Sequence, residues 1–275
     1  VTDADQQVRG VGRMFDLISP EYDNVGVPFF GPIAGHLVEA LAPQPGERAL
    51  DLGCGRGAVA VRLADAVLPG GSVTGLDLSP GMVERTREAL GGRHGSVEVV
   101  VGDARDPQLP AGGFDVVASS MVLFFLPDPA AALARWTALV APGGRLGLAT
   151  FGDTDPVWDE VDDLLLPYMP PLDPRVVGPQ SPFASDEGME RMLSRAGATE
   201  VRTTTHHVEL DVGSAQDWRR FARSVGTRAA FERMTAEEDA EVTARAGELL
   251  EPRRGEDGRI RLGQDIRVTL GSAPR

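Results

Sequence analysis

Ala49-Leu50-Asp51-Leu52-Gly53-Cys54-Gly55-Arg56-Gly57 decides the fold of this 275-residue chain. An apolar run ends in an acid and then in three alternating glycines. Residues 58–67 follow with Val59, Leu63, Ala66 and Val67 spaced for one helical face. The stretch reads as buried strand, tight turn, helix. Glycine has no Cβ, so the turn can take positive φ and let a ligand lie against the backbone. The start of the new helix offers unpaired N–H groups and a partial positive charge to an anionic group such as a carboxylate. The glycines run G-x-G-x-G rather than the G-x-G-x-x-G of dinucleotide loops, and Asp51 precedes the loop. An NAD-dependent oxidoreductase is therefore disfavoured.

Two further acids extend the pattern. The run 72–77 reads as a second strand ending at Asp77, where a carboxylate can accept both hydroxyls of a ribose. Leu78 and Met82 supply apolar flanks for a flat base. A third strand, 97–102, runs into Gly102-Asp103-Ala104. Each Asp alone can be read as a helix cap or turn residue, and for Asp77 before Ser79-Pro80 that reading weighs equally. Three acids at three consecutive strand ends, after a glycine loop, point to a nucleoside site.

The composition narrows the partners. An apolar content of 42% suffices for a full core. A net charge of −14 argues against nucleic acid, which needs clustered Lys and Arg, and against anionic membranes. The single cysteine, Cys54, excludes an internal disulfide and a cysteine metal cluster, and no metal is expected. Inside the glycine loop it reads as small packing rather than a nucleophile. No signal peptide or 18-residue apolar span is visible, which leads to an expectation of a cytoplasmic protein without stable membrane insertion. A homo-oligomer is left open.

Strand and helix patterns alternate: strand 48–52, helix 57–67, strand 72–77, helix 80–90, strand 97–102, strand 114–119, helix 129–140 and strand 144–151, with Pro142-Gly143-Gly144 as a helix stop. That alternation predicts an α/β fold, a parallel sheet with helices on both faces. Ahead of it, 11–22 looks helical until Ser19-Pro20, and 32–41 forms a second helix. After Phe151 the pattern changes to an amphipathic stretch 157–168, a long proline-punctuated loop, a helix 186–196 after Ser185, a strand 198–210, two helices 214–232 and 235–251, and a last strand 259–270. The expected organisation is an N-terminal helical cap (1–45), a core (46–152), a lid or acceptor region with its helix (153–197), and the last two strands (198–275) with an inserted helical pair (214–251).

The segment from about Phe15 to Phe151 resembles the class I S-adenosylmethionine (SAM)-dependent methyltransferases of small molecules. It is most similar to the ubiquinone/menaquinone-biosynthesis type (type 11) and its natural-product relatives. The carrying residues are Phe15-Asp16-x-x-Ser19-Pro20-x-Tyr22-Asp23, the glycine loop, Leu76-Asp77-Leu78-Ser79, Gly102-Asp103-Ala104, Phe114-Asp115, Leu126-Pro127-Asp128 and Pro142-Gly143-Gly144. The resemblance implies a Rossmann-like seven-stranded fold, with 198–210 and 259–270 as sixth and antiparallel seventh strands, N-terminal helices and a helical lid. It implies SAM as cofactor, with S-adenosylhomocysteine (SAH) as product, and a small-molecule methyl acceptor as partner. Asp51, Gly53 and Gly55, with Cys54 in the same loop, would cradle the methionyl part. Asp77 would hold the ribose. Leu78 and Met82 would pack the adenine, with Asp103 and Ala104 at its edge. Ser119 and Ser120 would face the methionyl group, and Tyr22 would close over the site or pack its helix on the sheet.

One departure bears on chemistry. Relatives often carry a histidine before the Leu-Pro-Asp that follows strand four, but this chain reads Val122-Leu123-Phe124-Phe125-Leu126-Pro127-Asp128. The resulting wall is apolar and aromatic, which suits a lipophilic or aromatic acceptor. Phe15, Phe124, Phe125, Trp158, Tyr168, Met169 and Phe183 are the expected acceptor-pocket residues. A base, if one is used, is expected at His206 or His207, which neighbour each other on a strand and so point to opposite faces; His36 and His94 are outliers. The sulfonium already activates the methyl, so alignment can supply much of the acceleration. A SAM-binding protein that does not methylate, of pericyclase or binding type, needs the same loop and acids and is the alternative.

Overall fold

A computed structural model describes residues 3–91, 93, 96–169, 178 and 180–274. Its strands are β1 (Arg48–Leu52), β2 (Ser72–Asp77), β3 (Ser96–Val101), β4 (Phe114–Ser120), β5 (Val140–Thr154), β6 (Thr199–Val212) and β7 (Ile260–Ser272). They form one sheet in the order β3-β2-β1-β4-β5-β7-β6. β1 to β5 are parallel, and β7 runs antiparallel between β5 and β6. The strand order reverses between β1 and β4. Successive crossovers therefore leave to opposite faces there, and a crevice opens outside the carboxyl ends of the strands.

The helices are α1 (Asp3–Ile18), α2 (Phe30–Leu41), α3 (Ala58–Val67), α4 (Pro80–Leu90), α5 (Pro129–Leu139), α6 (Pro156–Asp163), α7 (Asp186–Arg195), α8 (Ala215–Arg223), α9 (Arg228–Phe231) and α10 (Ala236–Leu250). Two apolar clusters cover the two sheet faces. Ala49 and Val116 join α2 and α3 in one, whereas Leu50 and Val117 join α5 and α7 in the other, as the two-residue strand period requires. Trp136 lies at the centre of the second cluster, fully buried, and its indole N–H donates to the Ala104 carbonyl at 2.7 Å. Trp158, Trp218, Phe221 and Phe231 extend the first cluster beyond the sheet into the layer of α6 and α8–α10.

Several boundaries differ from the sequence reading. The N-terminal helix begins at Asp3, not Val11, and ends at Ile18 before the Ser19-Pro20 break. Pro142-Gly143-Gly144 is not a gap between α5 and β5. The strand starts at Val140, and the three residues bulge, shifting the register against β4 between Phe114 and Val116. The expected helix 214–232 is two pieces, because the chain turns at Val225–Thr227, where the Thr227 hydroxyl donates to the Ala222 carbonyl at 2.7 Å. The stretch 157–168 is α6 plus a single turn at Leu166–Tyr168, since Pro167 has no N–H to continue the helix. Pro170, Pro171, Pro174 and Pro179 of the expected loop lie outside the described residues.

Candidate active site

A cavity whose empty space, counted together with its open mouth, is about 720 Å³ occupies the crevice at the reversal point. Residues after four successive parallel strands meet there: Gly53 and Gly55 after β1, Asp77 and Leu78 at the end of β2, Asp103 and Ala104 after β3, and Ser120 with Met121 and Val122 after β4. Met82 of α4 completes the floor, and Val8, Val11, Gly12 and Phe15 of α1 form a roof with Tyr22.

The glycine loop is shaped for a close ligand. Gly53 and Gly55 have φ of +75° and +53°. A Cβ on Gly53 would lie 2.3 Å from Val122, while one on Gly55 would meet nothing within 4 Å and would project into open space. The Thr86 hydroxyl anchors the loop by donating to the Gly55 carbonyl at 2.6 Å. Cys54 is buried against Gly75 and does not line the cavity. Burial pushes its thiol pKa upward, away from nucleophile chemistry.

The acids divide into three situations. Asp77 lines the cavity and also braces the turn. Its Oδ2 accepts from the Gly55 amide at 2.8 Å and its Oδ1 from the Ser79 amide at 2.9 Å. The turn role and the cavity role thus coexist. Burial raises its pKa, against backbone N–H groups that lower it. Asp103 also lines the cavity, held by Arg105 at 2.9 and 2.7 Å, and Arg105 reaches on to Asp5 of α1 at 3.1 Å. Asp51 does not open to the cavity. It is 1% exposed behind the glycine loop, and its Oδ2 has no hydrogen-bond partner. Burial, reinforced by the charge of Asp77, pushes its pKa up to about 7.

Strand parity corrects one serine. Ser119 is turned away, its hydroxyl donating to the Leu52 carbonyl at 2.8 Å inside the sheet, and Ser120 faces the cavity instead. Tyr22 lines the cavity, stacked on Phe30 at 4.9 Å and edge-on to Phe15 at 5.7 Å. Burial and the neighbouring Asp23 and Asp77 raise its pKa, so its hydroxyl stays neutral.

Of the expected acceptor residues, Phe15 and Phe125 line the cavity, with rings 5.3 Å apart. Phe124 lies one ring further out, against Phe125, and Phe183 one ring beyond that, against Phe124. Trp158, Tyr168 and Met169 do not line it. Trp158 is buried against Phe29, Met169 packs on the same cluster, and the Tyr168 carbonyl accepts from Arg233. α6 and the turn that follows it carry these residues over the α8–α10 layer rather than over the crevice. The histidines are also elsewhere, because β6 is the outermost strand and pairs only with β7. His206 stacks on His36 of α2 at 4.4 Å in a separate groove, and His207 pairs with Asp265 at 2.9 Å on the exposed surface. His94 lies outside the described residues. Among the described residues, no imidazole lines the cavity.

Sequence reasoning missed Val8, Val11, Gly12, Met121 and Val122. Gly12 carried a readable signal: on an amphipathic helix it lets the backbone approach Leu78, whose Cδ2 would lie 2.9 Å from a Cβ there. Met121 carried none, because its φ of +59° shows only in the fold.

Comparison with known proteins agrees with this geometry. The family model described as "Methyltransferase domain" matches residues 50–148. The nocamycin O-methyltransferase of Saccharothrix syringae is 36% identical over 246 residues, covering 84% of this chain and 87% of that protein. The aklanonic acid methyltransferase DauC of Streptomyces sp. (strain C5) is 40% identical over 162 residues, covering 58% of this chain and 70% of its own. Among solved structures, the YcgJ protein of Bacillus subtilis superposes with a TM-score of 0.60 at 19% identity, covering 89% of this chain and 99% of that one, a likeness of fold. Among the described residues, no helix is long and apolar enough to cross a membrane.

Proposed function

Because this chain belongs to the class I SAM-dependent methyltransferases, we propose that it methylates an oxygen of a lipophilic, aromatic natural-product acceptor, and that the oxygen arrives already ionised. SAM is the cofactor and SAH the product. The observation that carries the reading is the cavity itself, which joins a glycine loop and two acids to an apolar, aromatic wall that holds no imidazole among the described residues.

The residues fit a nucleoside with an amino-acid tail. The open space at Gly55 accepts a group lying on the backbone. Asp51, buried behind the loop with its Oδ2 unpartnered, would favour a methionyl ammonium on the far side of the loop through its charge rather than by contact. The remaining lone pairs of Asp77 can accept ribose hydroxyls, and Leu78, Met82 and Ala104 form an apolar slot for a flat base, with Asp103 at its edge. Bound there, SAM supplies a methyl already activated by its sulfonium.

The rest is positioning. Phe15, Tyr22, Val122, Phe125 and Leu126 exclude water and hold the acceptor oxygen in line with the methyl. With SAM held there, the acceptor oxygen would take the methyl as the carbon–sulfur bond broke, the electron pair staying with sulfur. Orientation in such a site can be worth roughly 7–11 kcal/mol. A carboxylate, or a phenol or enol acidic enough to ionise near neutrality, needs no protein base. Support for oxygen comes from the O-methyltransferase among the relatives, and support for an acidic acceptor from the one named for aklanonic acid.

The test is methyl transfer from radiolabelled SAM to a panel of aromatic acids, acidic phenols and neutral alcohols, with the pH–rate profile of each accepted compound. The expected rate follows the acceptor's own ionisation. A profile with one protein-derived pKa common to all acceptors would overturn the base-free reading. SAH binding without transfer to any panel member would favour the non-methylating alternative.

A further inference from the structure

Outside the cavity, one set of residues is built at a cost that core packing does not explain. Arg267 of β7 is 8% exposed, and its guanidinium is consumed locally. Nε donates to Asp186 at 2.8 Å, Nη1 to the carbonyls of Phe151 at 2.9 Å and Phe183 at 3.2 Å, and Nη2 to Asp153 at 3.1 Å and the Ala184 carbonyl at 3.5 Å. All five N–H groups are engaged. Burying a charge is expensive unless its geometry is well satisfied. Here it ties the end of β5 to the Pro182–Ala184 turn, two segments that sequence places about thirty residues apart.

Those two segments carry rings. Phe151 stacks on Phe124 at 5.5 Å with 28° between planes, and Phe183 meets Phe124 edge-on at 6.2 Å and 84°. Phe151 is 37% exposed, one of the few large apolar side chains left so open. Phe124 in turn lies 4.8 Å from Phe125, which lines the cofactor cavity. The result is a stack of Phe124 and Phe151 with Phe183 upright against it, its outer ring partly exposed and its inner ring one contact from the cavity through Phe125.

We propose that Phe124, Phe151 and Phe183 form a stacking platform for the planar, fused-ring part of the acceptor, with Arg267 as the positioning residue that fixes it. The assignment rests on the methyltransferase reading above and adds to it the acceptor's shape. An open stack accepts a further flat ring at the same spacing, and the edge-on ring limits how far it slides. A flexible apolar chain gains no such orientation from the same surface.

The test measures binding to SAH-loaded protein by equilibrium dialysis with two probes, 1,8-dihydroxyanthraquinone as a planar fused-ring compound and dodecanoate as a linear one. Phe151→Ala should weaken the planar probe by about fivefold to tenfold, the scale of one aromatic pair, and Phe151→Tyr should restore it. Arg267→Lys should weaken the planar probe similarly, while dodecanoate changes by less than about twofold and SAH affinity is unchanged. If Arg267→Lys does not fold, the Phe151 pair decides alone. Equal planar-probe affinity in wild type and Phe151→Ala, parallel loss of both probes, or no binding of the planar probe to wild type overturns the platform. Failure of wild type to bind SAH at all would instead overturn the methyltransferase reading on which it rests.

Discussion

The carboxylate of Asp16, near the end of α1, accepts a hydrogen bond from the Ser79 hydroxyl at 2.9 Å, and the same oxygen accepts from the Gly81 amide at 2.7 Å. The Ser79 oxygen at the same time accepts from the Met82 amide, so one hydroxyl caps α4 and gives its own hydrogen to α1. The anion also sits at the positive end of α4. From the other side, Arg56 of the glycine loop donates to the carbonyls of Ser19 and Pro20, each at 2.7 Å. The helix that roofs the cavity is thus tied both to its floor and to its loop. Asp16→Ala removes one of these ties and should speed SAH release by about fivefold, the scale of a lost cap of ~1 kcal/mol. Stopped-flow displacement reads it directly. An unchanged release rate would mean that α1 does not hold the ligand in.

The two cavity glycines should fail differently. Gly53→Ala drives a methyl to 2.3 Å from Val122 at a φ of +75°, so it should lower stability, by about 1–3 kcal/mol. Gly55→Val is strained too, at a φ of +53°, but its Cβ meets nothing within 4 Å and its side chain fills the space next to the loop, so beyond that strain it should cost SAH affinity, with at least a ~10-fold loss. Thermal melts and calorimetry on both variants separate the two. A Gly55→Val protein that binds SAH normally would show that the ligand does not lie on this backbone.

Asp51 should leave a mark on the pH dependence of stability. Its folded pKa rises from 3.8 to about 7. In that window the folded carboxyl keeps a proton that the unfolded chain has released, so stability falls as pH rises from about 4 to about 7. Asp162, pushed up to about 7 by burial and by Asp159, bends the curve the same way, and the informative comparison is therefore Asp51→Asn against wild type. The variant should flatten the decline, by an amount on the order of a few kcal/mol across the window. Denaturant titrations of ligand-free protein at pH 4.5, 6 and 7.5 (about evenly spaced across the window) check this. Parallel curves would place the Asp51 proton elsewhere.

His206 and His207 should be dispensable. Their rings face a groove beside α2 and the Asp265 carboxylate, not the cavity. His206→Ala and His207→Ala should each leave kcat within about twofold of wild type, whereas loss of a general base costs about 10²–10⁴-fold. A fall of that size in either variant, with SAH affinity intact, would require a different closed state of the protein.

What the chain disclosed in advance follows from the range of the interactions involved. The strand–glycine–helix unit and the acids at the ends of β2 and β3 depend on local geometry, and G-x-G-x-G with Asp77 and Asp103 was readable residue by residue. Ser119 and Ser120 differ only by strand parity, which needs the register of β4 against β1. The distance of His206 from the site follows from β6 lying at the sheet edge, a fact of strand order that no local pattern encodes. Trp158 looked like a pocket aromatic because α6 is amphipathic, but the apolar face of a helix does not say which of two neighbouring surfaces it will meet. Arg267 was invisible for the same reason, since its partners come from three separate segments.

The reversal of strand order between β1 and β4 also separates inheritance from adaptation. Groups proposed for the nucleoside follow β1, β2 and β3, while those proposed for the acceptor come from α1 and the turn after it, from the segment after β4, from the end of β5 and from the Pro182–Ala184 turn. Where the two sets touch, as Gly53 touches Val122, substitutions should couple, whereas Phe151 and Phe183 stand outside the lining of the nucleoside cavity and changes there should combine almost additively with changes at Asp77 or Asp103. A lineage built this way can exchange Phe124, Phe151 or Phe183 to follow a new metabolite while its grip on the methyl donor stays as it was.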